Sequence, residues 1–201
     1  MTTTVSQELP LFPLKTVLFP GGVLPLQIFE PRYLDMISTC LRTDSGFGVV
    51  AIQEGQEMGS QPVSIYPVGT LARIVDFDQL DSGLLSITCL GVRRCRVIGH
   101  RIQPDQLLIG QILWLPDDPV LLPLPSHEPL TRLLCDLLQN EELILHQRFL
   151  IPNWEDAAWI GNRLAEILPL PLSVRQTLLE MTEPRQRLDV LLAIFQELRT
   201  I

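Results

Sequence analysis

Side chains that commonly carry chemistry are thinly spread through this chain of 201 residues. Lys15 is the sole lysine, and it lies between Leu14 and Thr16 in a proline-rich, strand-like stretch. That is a poor setting for a serine–lysine dyad, whose base must be held beside its nucleophile. His100, His127 and His146 lack the HxxxH and HExxH spacings that put two imidazoles on one helix face. Cys40, Cys89, Cys95 and Cys135 form no CxxC pair, so reduced thiols are expected. A zinc site from His100, Cys89 and Cys95 would require those positions to meet on paired strands. Buried free cysteine is the commoner outcome, so no metal is expected, and no cofactor. The nucleophile elbow Gly-x-Ser-x-Gly, the Walker phosphate loop and Gly-x-Gly-x-x-Gly are missing from the sequence. The expectation is a non-catalytic chain.

Two charged clusters remain. Asp76, Asp78 and Asp81 border a turn signal, Asp81-Ser82-Gly83, and alternate residues of a strand point the same way. Asp76 and Asp78 therefore present two carboxylates on one face, but the spacing and closing glutamate of a calcium loop are missing. A solvated rim is the expectation. Arg93, Arg94 and Arg96, with Arg101 nearby, make the one basic cluster. Alternation puts Arg94 and Arg96 on one sheet face with Cys95 and Val97 inward. Aromatics interleaved with arginine, which single-stranded nucleic acid needs for stacking, are lacking there.

Composition agrees. Fifteen basic against 23 acidic side chains give a net charge of −8, which disfavours nucleic acid and anionic membranes as partners. The apolar run from Leu9 to Phe29 contains Lys15 and prolines 10, 13, 20 and 25, and Leu107 to Leu124 is cut by Asp117, Asp118 and further prolines. Proline removes helical hydrogen bonds that hydrocarbon cannot replace, so neither run reads as a membrane span. No basic region precedes the first run as in a secretory signal, and the expected localisation is cytoplasmic.

The elements that must position these residues divide near residue 116. Eleven of the 12 glycines lie in the first 115 residues, whereas leucine is concentrated after them. Glycine with β-branched residues suits strands and turns, and leucine without glycine suits helices. The expected organisation is a β-rich domain over 1–115, a proline-rich linker over 116–126 and a helical bundle over 127–201. Strands are read at 23–29, 48–52, 69–75, 84–90 and 94–98, among about six in all, with one helix from Pro31 to Leu41 carrying Tyr33, Leu34, Ile37 and Leu41 on its apolar side. Glycine-turned short strands suggest a closed or strongly coiled barrel. In the second half, Leu130, Leu133, Leu134, Leu137 and Leu138 form one helical stripe. Asn153 is the expected cap of a helix ending at Pro169, Ser173 with Gln176 fits a capping box, and Thr182 with Pro184 opens a last helix.

The N-terminal residues carry a more specific signal. Leu9-Pro10-Leu11-Phe12-Pro13-Leu14, Val17-Leu18-Phe19-Pro20-Gly21 and Leu24-Pro25-Leu26-Gln27-Ile28-Phe29-Glu30-Pro31-Arg32-Tyr33 resemble the opening of the Lon protease N-terminal domain, in the form of its stand-alone bacterial relatives. Phe47-Gly48-Val49-Val50, Val68-Gly69-Thr70-Leu71-Ala72 and Gly91 through Val97 continue the resemblance, which extends into the helical half and covers nearly the whole chain. It implies an α+β fold, a PUA-like pseudo-barrel followed by a helical bundle. It also implies recognition of polypeptide substrates without the ATPase and protease modules of Lon, which leave no trace in these residues.

The implied function is binding of unfolded or apolar polypeptide segments, with a separate protease as a further partner. Proline-rich 9–14 and 17–25 cannot both be fully paired strands, so part of that stretch is expected at a sheet edge. Strand addition there would use Leu18, Phe19, Val23 and Leu24 as contacts. Phe29 and Tyr33 would add aromatic area while Glu30 and Arg32 orient a peptide backbone, although the same four residues suit the packing of a strand-to-helix junction. The competing function is RNA binding on a PUA-like barrel, with Arg93, Arg94, Arg96 and Arg101 on phosphates.

Overall fold

A computed structural model of the chain describes residues 6–57, 64–80, 83–139 and 149–198. It divides into two compact units, residues 1–116 and 117–201. The described residues of the first form six strands and one helix: β1 (Gln7–Leu14), β2 (Val23–Ile28), α1 (Pro31–Thr43), β3 (Phe47–Glu54), β4 (Ser64–Gln79), β5 (Leu85–Ile102) and β6 (Leu108–Trp114). The sheet runs β2-β5-β4-β3-β1-β6, and β5 also pairs with β6. Five strands therefore close a ring, and β2 lies outside it, paired among the described residues with β5 alone. Only β1 and β3 run parallel among these pairs.

The ring closes because β5 is long and bent. Its first half pairs with β2, its second half with β6, and β4 lies along most of its length. Leu71 pairs with Arg93 and Ala72 with Gly91, leaving Val92 as an extra residue. A second step leaves Ile98 extra between Val97 and Gly99 opposite β6. Such bulges bend a strand and increase its twist. The two strands read at 84–90 and 94–98 are thus one, and β6 was not among the strands read from the sequence.

Helix α1 starts at Pro31, where a missing amide is harmless, and ends at Asp44 in the left-handed region. It buries Tyr33, Met36, Ile37 and Cys40 rather than Tyr33, Leu34, Ile37 and Leu41. The buried set follows the i, i+3, i+4, i+7 rule, which leaves Leu34 and Leu41 exposed at the sides of the stripe. These four side chains join Phe12, Phe47, Val49, Ile87 and Cys89 in the main core.

The second unit is helical. After an irregular stretch and a short 3-10 turn, Pro125–His127, come α2 (Glu128–Leu137), α3 (Ala157–Ile167), α4 (Leu172–Glu180) and α5 (Pro184–Leu198). Leu130 and Leu134 are fully buried from the first stripe. Asp156, not Asn153, caps α3, accepting a 2.9 Å bond from the Ala158 amide. Asn153 instead uses its backbone carbonyl, at 3.2 Å from the Asp156 amide, in the turn before the helix. The expected capping box at Ser173 does not form, since Pro171 holds the cap position and the Gln176 amide donates to Glu180 at 2.8 Å. No described helix is long and apolar enough to cross a membrane.

Candidate binding site at the open edge of the sheet

Among the described residues β2 has one strand neighbour, so half of its backbone hydrogen-bonding groups face away from β5. Pro25, which has no amide hydrogen, is tolerated where its nitrogen points to the open side. Val23 and Gln27 share that parity, and they offer the amides and carbonyls of the free edge. Ile28 is buried, and Leu24 and Leu26 are half-buried against the main core, while Pro25 and Gln27 are exposed.

A pocket of about 560 Å³ lies against this strand. Phe12, Leu14, Leu26, Ile28 and Tyr33 give it apolar walls, and Lys15, Gln27, Phe29, Glu30, Gln56 and Glu57 supply its remaining lining. Its far wall is held together by the Lys15 backbone amide donating to Oε1 of Glu57. Burial pushes the Tyr33 phenol above its ordinary value; Arg32 opposes the shift, and Glu30 and Glu57 add to it. The phenol therefore stays protonated at neutral pH and is available as a donor.

Beyond Phe29 lies a second hollow of about 540 Å³, which shares Ile28 and Phe29 as lining. Leu34, Phe77, Asp78 and Leu85 contribute to its other sides. Phe29 is 53% exposed, Phe77 60% and Leu34 37%. A cluster of large exposed apolar side chains from α1, β4 and the connection between β2 and α1 marks an interaction surface more often than a structural need.

The residues singled out from the sequence separate into distinct groups. Leu18 and Phe19 are core, not contact surface, which corrects their candidate role. The segment before β2 is pinned inward, with the Thr70 hydroxyl donating to the Leu18 carbonyl at 2.6 Å and Gly91 exchanging backbone bonds with Gly21 and Gly22 at 2.8 Å. Gly91 is needed there because a Cβ would collide with the Phe19 carbonyl oxygen. Val23 and Leu24 lie half-buried on the edge strand, and Phe29, Glu30 and Tyr33 line the first pocket. Arg32 forms a 2.7 Å ion pair with Glu30, donates to the Gln106 carbonyl at 3.0 Å and lies 4.7 Å over the Tyr33 ring. It positions Glu30 and Tyr33 rather than reaching into the pocket.

The four arginines do not make one basic face. Arg94 is buried and donates to the Pro116 carbonyl at 3.3 Å, so it does not share an exposed face with Arg96. Arg93 donates to the Leu115 carbonyl at 3.1 Å and lies 5.5 Å over Trp114, and Arg101 pairs with Glu8 at 3.1 Å. Asp76 is half-buried and Asp78 exposed, while Asp81 falls outside the described residues. Cys89 and Cys95 are buried and His100 is exposed, and no metal-holding group of His, Cys, Asp or Glu occurs among the described residues. The sequence places Leu34 on the apolar side of its helix, where the structure exposes it, and gives no reading of Phe77. The available signal for Phe77 was a large aromatic between Asp76 and Asp78, on a strand face with no obligation to be buried.

The model of the ATP-dependent protease La (LON) substrate-binding domain matches residues 8–197. The chain belongs to the LON substrate-binding domain family. A crystal structure of a Lon N-terminal domain protein from Xanthomonas campestris superposes with a TM-score of 0.77 at 37% identity, covering 93% of this chain and 98% of that one. The N-terminal domain of the Mycobacterium avium complex Lon protease gives a TM-score of 0.65 at 16% identity, a likeness of fold alone. Among curated relatives, Lon protease of Anaeromyxobacter dehalogenans is 26% identical over 200 residues. That alignment takes in 96% of this chain but 23% of the relative's length. Lon protease 2 of Myxococcus xanthus is 35% identical over 95 residues, or 47% of this chain and 12% of the relative. Family membership thus rests on the substrate-binding part of those much longer proteins.

Proposed function

We propose that this member of the LON substrate-binding domain family is a non-catalytic module that holds extended, apolar segments of unfolded protein along the free edge of β2. The observation that carries this reading is the coincidence of an unpaired strand edge with a largely apolar pocket beside it. An added strand satisfies the backbone groups of Val23 and Gln27, while the pocket beside Leu26 and Ile28 takes an apolar side chain. The acidic balance of the chain and the dispersal of its arginines favour polypeptide over RNA. A separate protease is the corresponding downstream partner, since this reading assigns the module binding without peptide hydrolysis.

Amide hydrogen exchange on the full chain tests the reading, with reduced, carboxamidomethylated α-lactalbumin as the unfolded probe. Slowed exchange is expected at Val23–Ile28 and in α1 near Tyr33. Slowing confined to residues 128–198, with β2 unchanged, would place the binding surface elsewhere.

A further inference from the structure

We infer that the two hollows on either side of Phe29 form one bipartite site, which takes an extended polypeptide segment bearing two bulky apolar side chains on one face and a basic residue beside them. This rests on the reading of β2 as a peptide edge and adds the class of segment that the edge selects.

Continuity is the first support. Ile28 and Phe29 line both hollows, so a chain lying on β2 that fills the first arrives at the second across Phe29. Exposure is the second. At 60%, Phe77 is the most exposed large apolar side chain among the described residues of the first unit, and Leu34 and Phe29 stand exposed beside it in the same hollow. The core packs without these three, and leaving them in water costs free energy that a bound apolar group would recover. In an extended chain, alternate side chains project to the same side, so residues separated by an even number of positions reach both hollows together.

Charge selects among apolar occupants. The two linings carry Glu30, Glu57 and Asp78 against the single ammonium of Lys15, in a chain of net charge −8. Even with Arg32 pairing Glu30, the surroundings are negative. A lysine or arginine in the segment is attracted there, whereas an acidic segment or a fatty acid meets like charge.

Fluorescence anisotropy with labelled peptides of about nine residues tests the inference on the full chain. A peptide with two phenylalanines at even spacing and one lysine is expected to bind about tenfold more tightly than its single-phenylalanine counterpart, the gain from half-burying a second ring. Odd spacing should lose that gain. Phe77→Ser, at an exposed position lining the second hollow, should abolish the gain. Replacing the peptide lysine by glutamate should weaken binding about fivefold, and the difference should shrink at about 0.5 M salt. Equal binding of odd and even spacings, or a gain that survives Phe77→Ser, would overturn the bipartite site while leaving single-segment binding at β2 intact. Failure of every peptide to bind, with no protection of β2 by unfolded protein, would overturn both readings.

Discussion

The ring of Phe12 stacks on that of Tyr33, with centroids 3.9 Å apart and planes inclined by 13°. The pair joins β1 to the first turn of α1 and forms part of the wall of the first pocket, so one contact serves both packing and binding surface. Phe12→Ala should lower stability by about 3–5 kcal/mol, the usual cost of emptying a buried aromatic position. Tyr33→Phe keeps the ring and should stay within about 1 kcal/mol of the parent. Urea unfolding of both variants decides this. Equal losses from the two substitutions would mean that the hydroxyl, not the stacked ring, holds the contact.

Arg32 joins three things at once: the Glu30 carboxylate, the Gln106 carbonyl and the face of Tyr33. Gln106 itself sits at φ 71, a left-handed conformation that costs a non-glycine residue free energy and that the Arg32 bond helps to offset. Both side chains of the ion pair are mostly covered, so the bond is worth more than an exposed pair. Arg32→Ala should destabilise the first unit by about 1–2 kcal/mol. Arg32→Lys should recover less than half of that, because an ammonium cannot reproduce the planar fork. Parental urea midpoints for both variants would show that Arg32 contributes nothing as a tie.

The fold was more legible than the site, for a physical reason. Glycine and proline punctuation and the Tyr33–Ile37 spacing report local backbone preference, which survives in the folded chain. Whether an extended run is one strand or two depends on distant partners. Gly91-Val92-Arg93 reads as a break, yet it is a bulge inside β5, because β4 continues to pair on both sides of it. The site divides in the same way. Phe29-Glu30-Pro31 announces a strand-to-helix junction, and Phe29, Glu30 and Tyr33, candidates from the sequence, all line the first pocket. Leu34 and Phe77 come from different elements and meet only through tertiary structure. Leu18 and Phe19 misled because apolar residues beside prolines look the same in a surface turn as in a segment drawn inward by Thr70 and Gly91.

Burial raises the Cys89 thiol to about 12, with nearby Cys40 adding to the shift, and raises Cys95 to about 11 despite a backbone hydrogen bond from Gly69 that opposes it. Both values exceed the ordinary 9.0, so the folded state keeps protons that the unfolded chain releases. Stability from these thiols is complete below pH 9 and is lost as pH rises toward about 11 for Cys95 and about 12 for Cys89. Cys135 is exposed, whereas Cys40, Cys89 and Cys95 are buried. One thiol should therefore react rapidly with Ellman's reagent at about pH 8, and the other three only with unfolding. Two or more fast equivalents from the native protein would contradict this packing.

Arg187 ties the helical unit together through a guanidinium that is only 1% exposed. Its Nε donates to the Leu178 carbonyl at 2.9 Å and its Nη2 to the Met181 carbonyl at 2.7 Å, covering the exposed carbonyl end of α4. Its Nη1 reaches Asp118 at 2.8 Å and Asn162 at 2.9 Å, adding the proline-rich segment and α3 to the same cluster. A buried cation is tolerable when its donors are met in this way, and removing it takes a charged donor from four acceptors, the Asp118 carboxylate among them. Arg187→Met should destabilise the unit by about 3–5 kcal/mol, and Arg187→Lys should recover little because one ammonium cannot span four acceptors. Asp118→Asn keeps an acceptor for the guanidinium and should cost about 1 kcal/mol. Far-UV circular dichroism melts report this order directly, since the second unit supplies most of the helix. An Arg187→Lys protein that melts with the parent would show that the charge alone, without the fork, holds these helices.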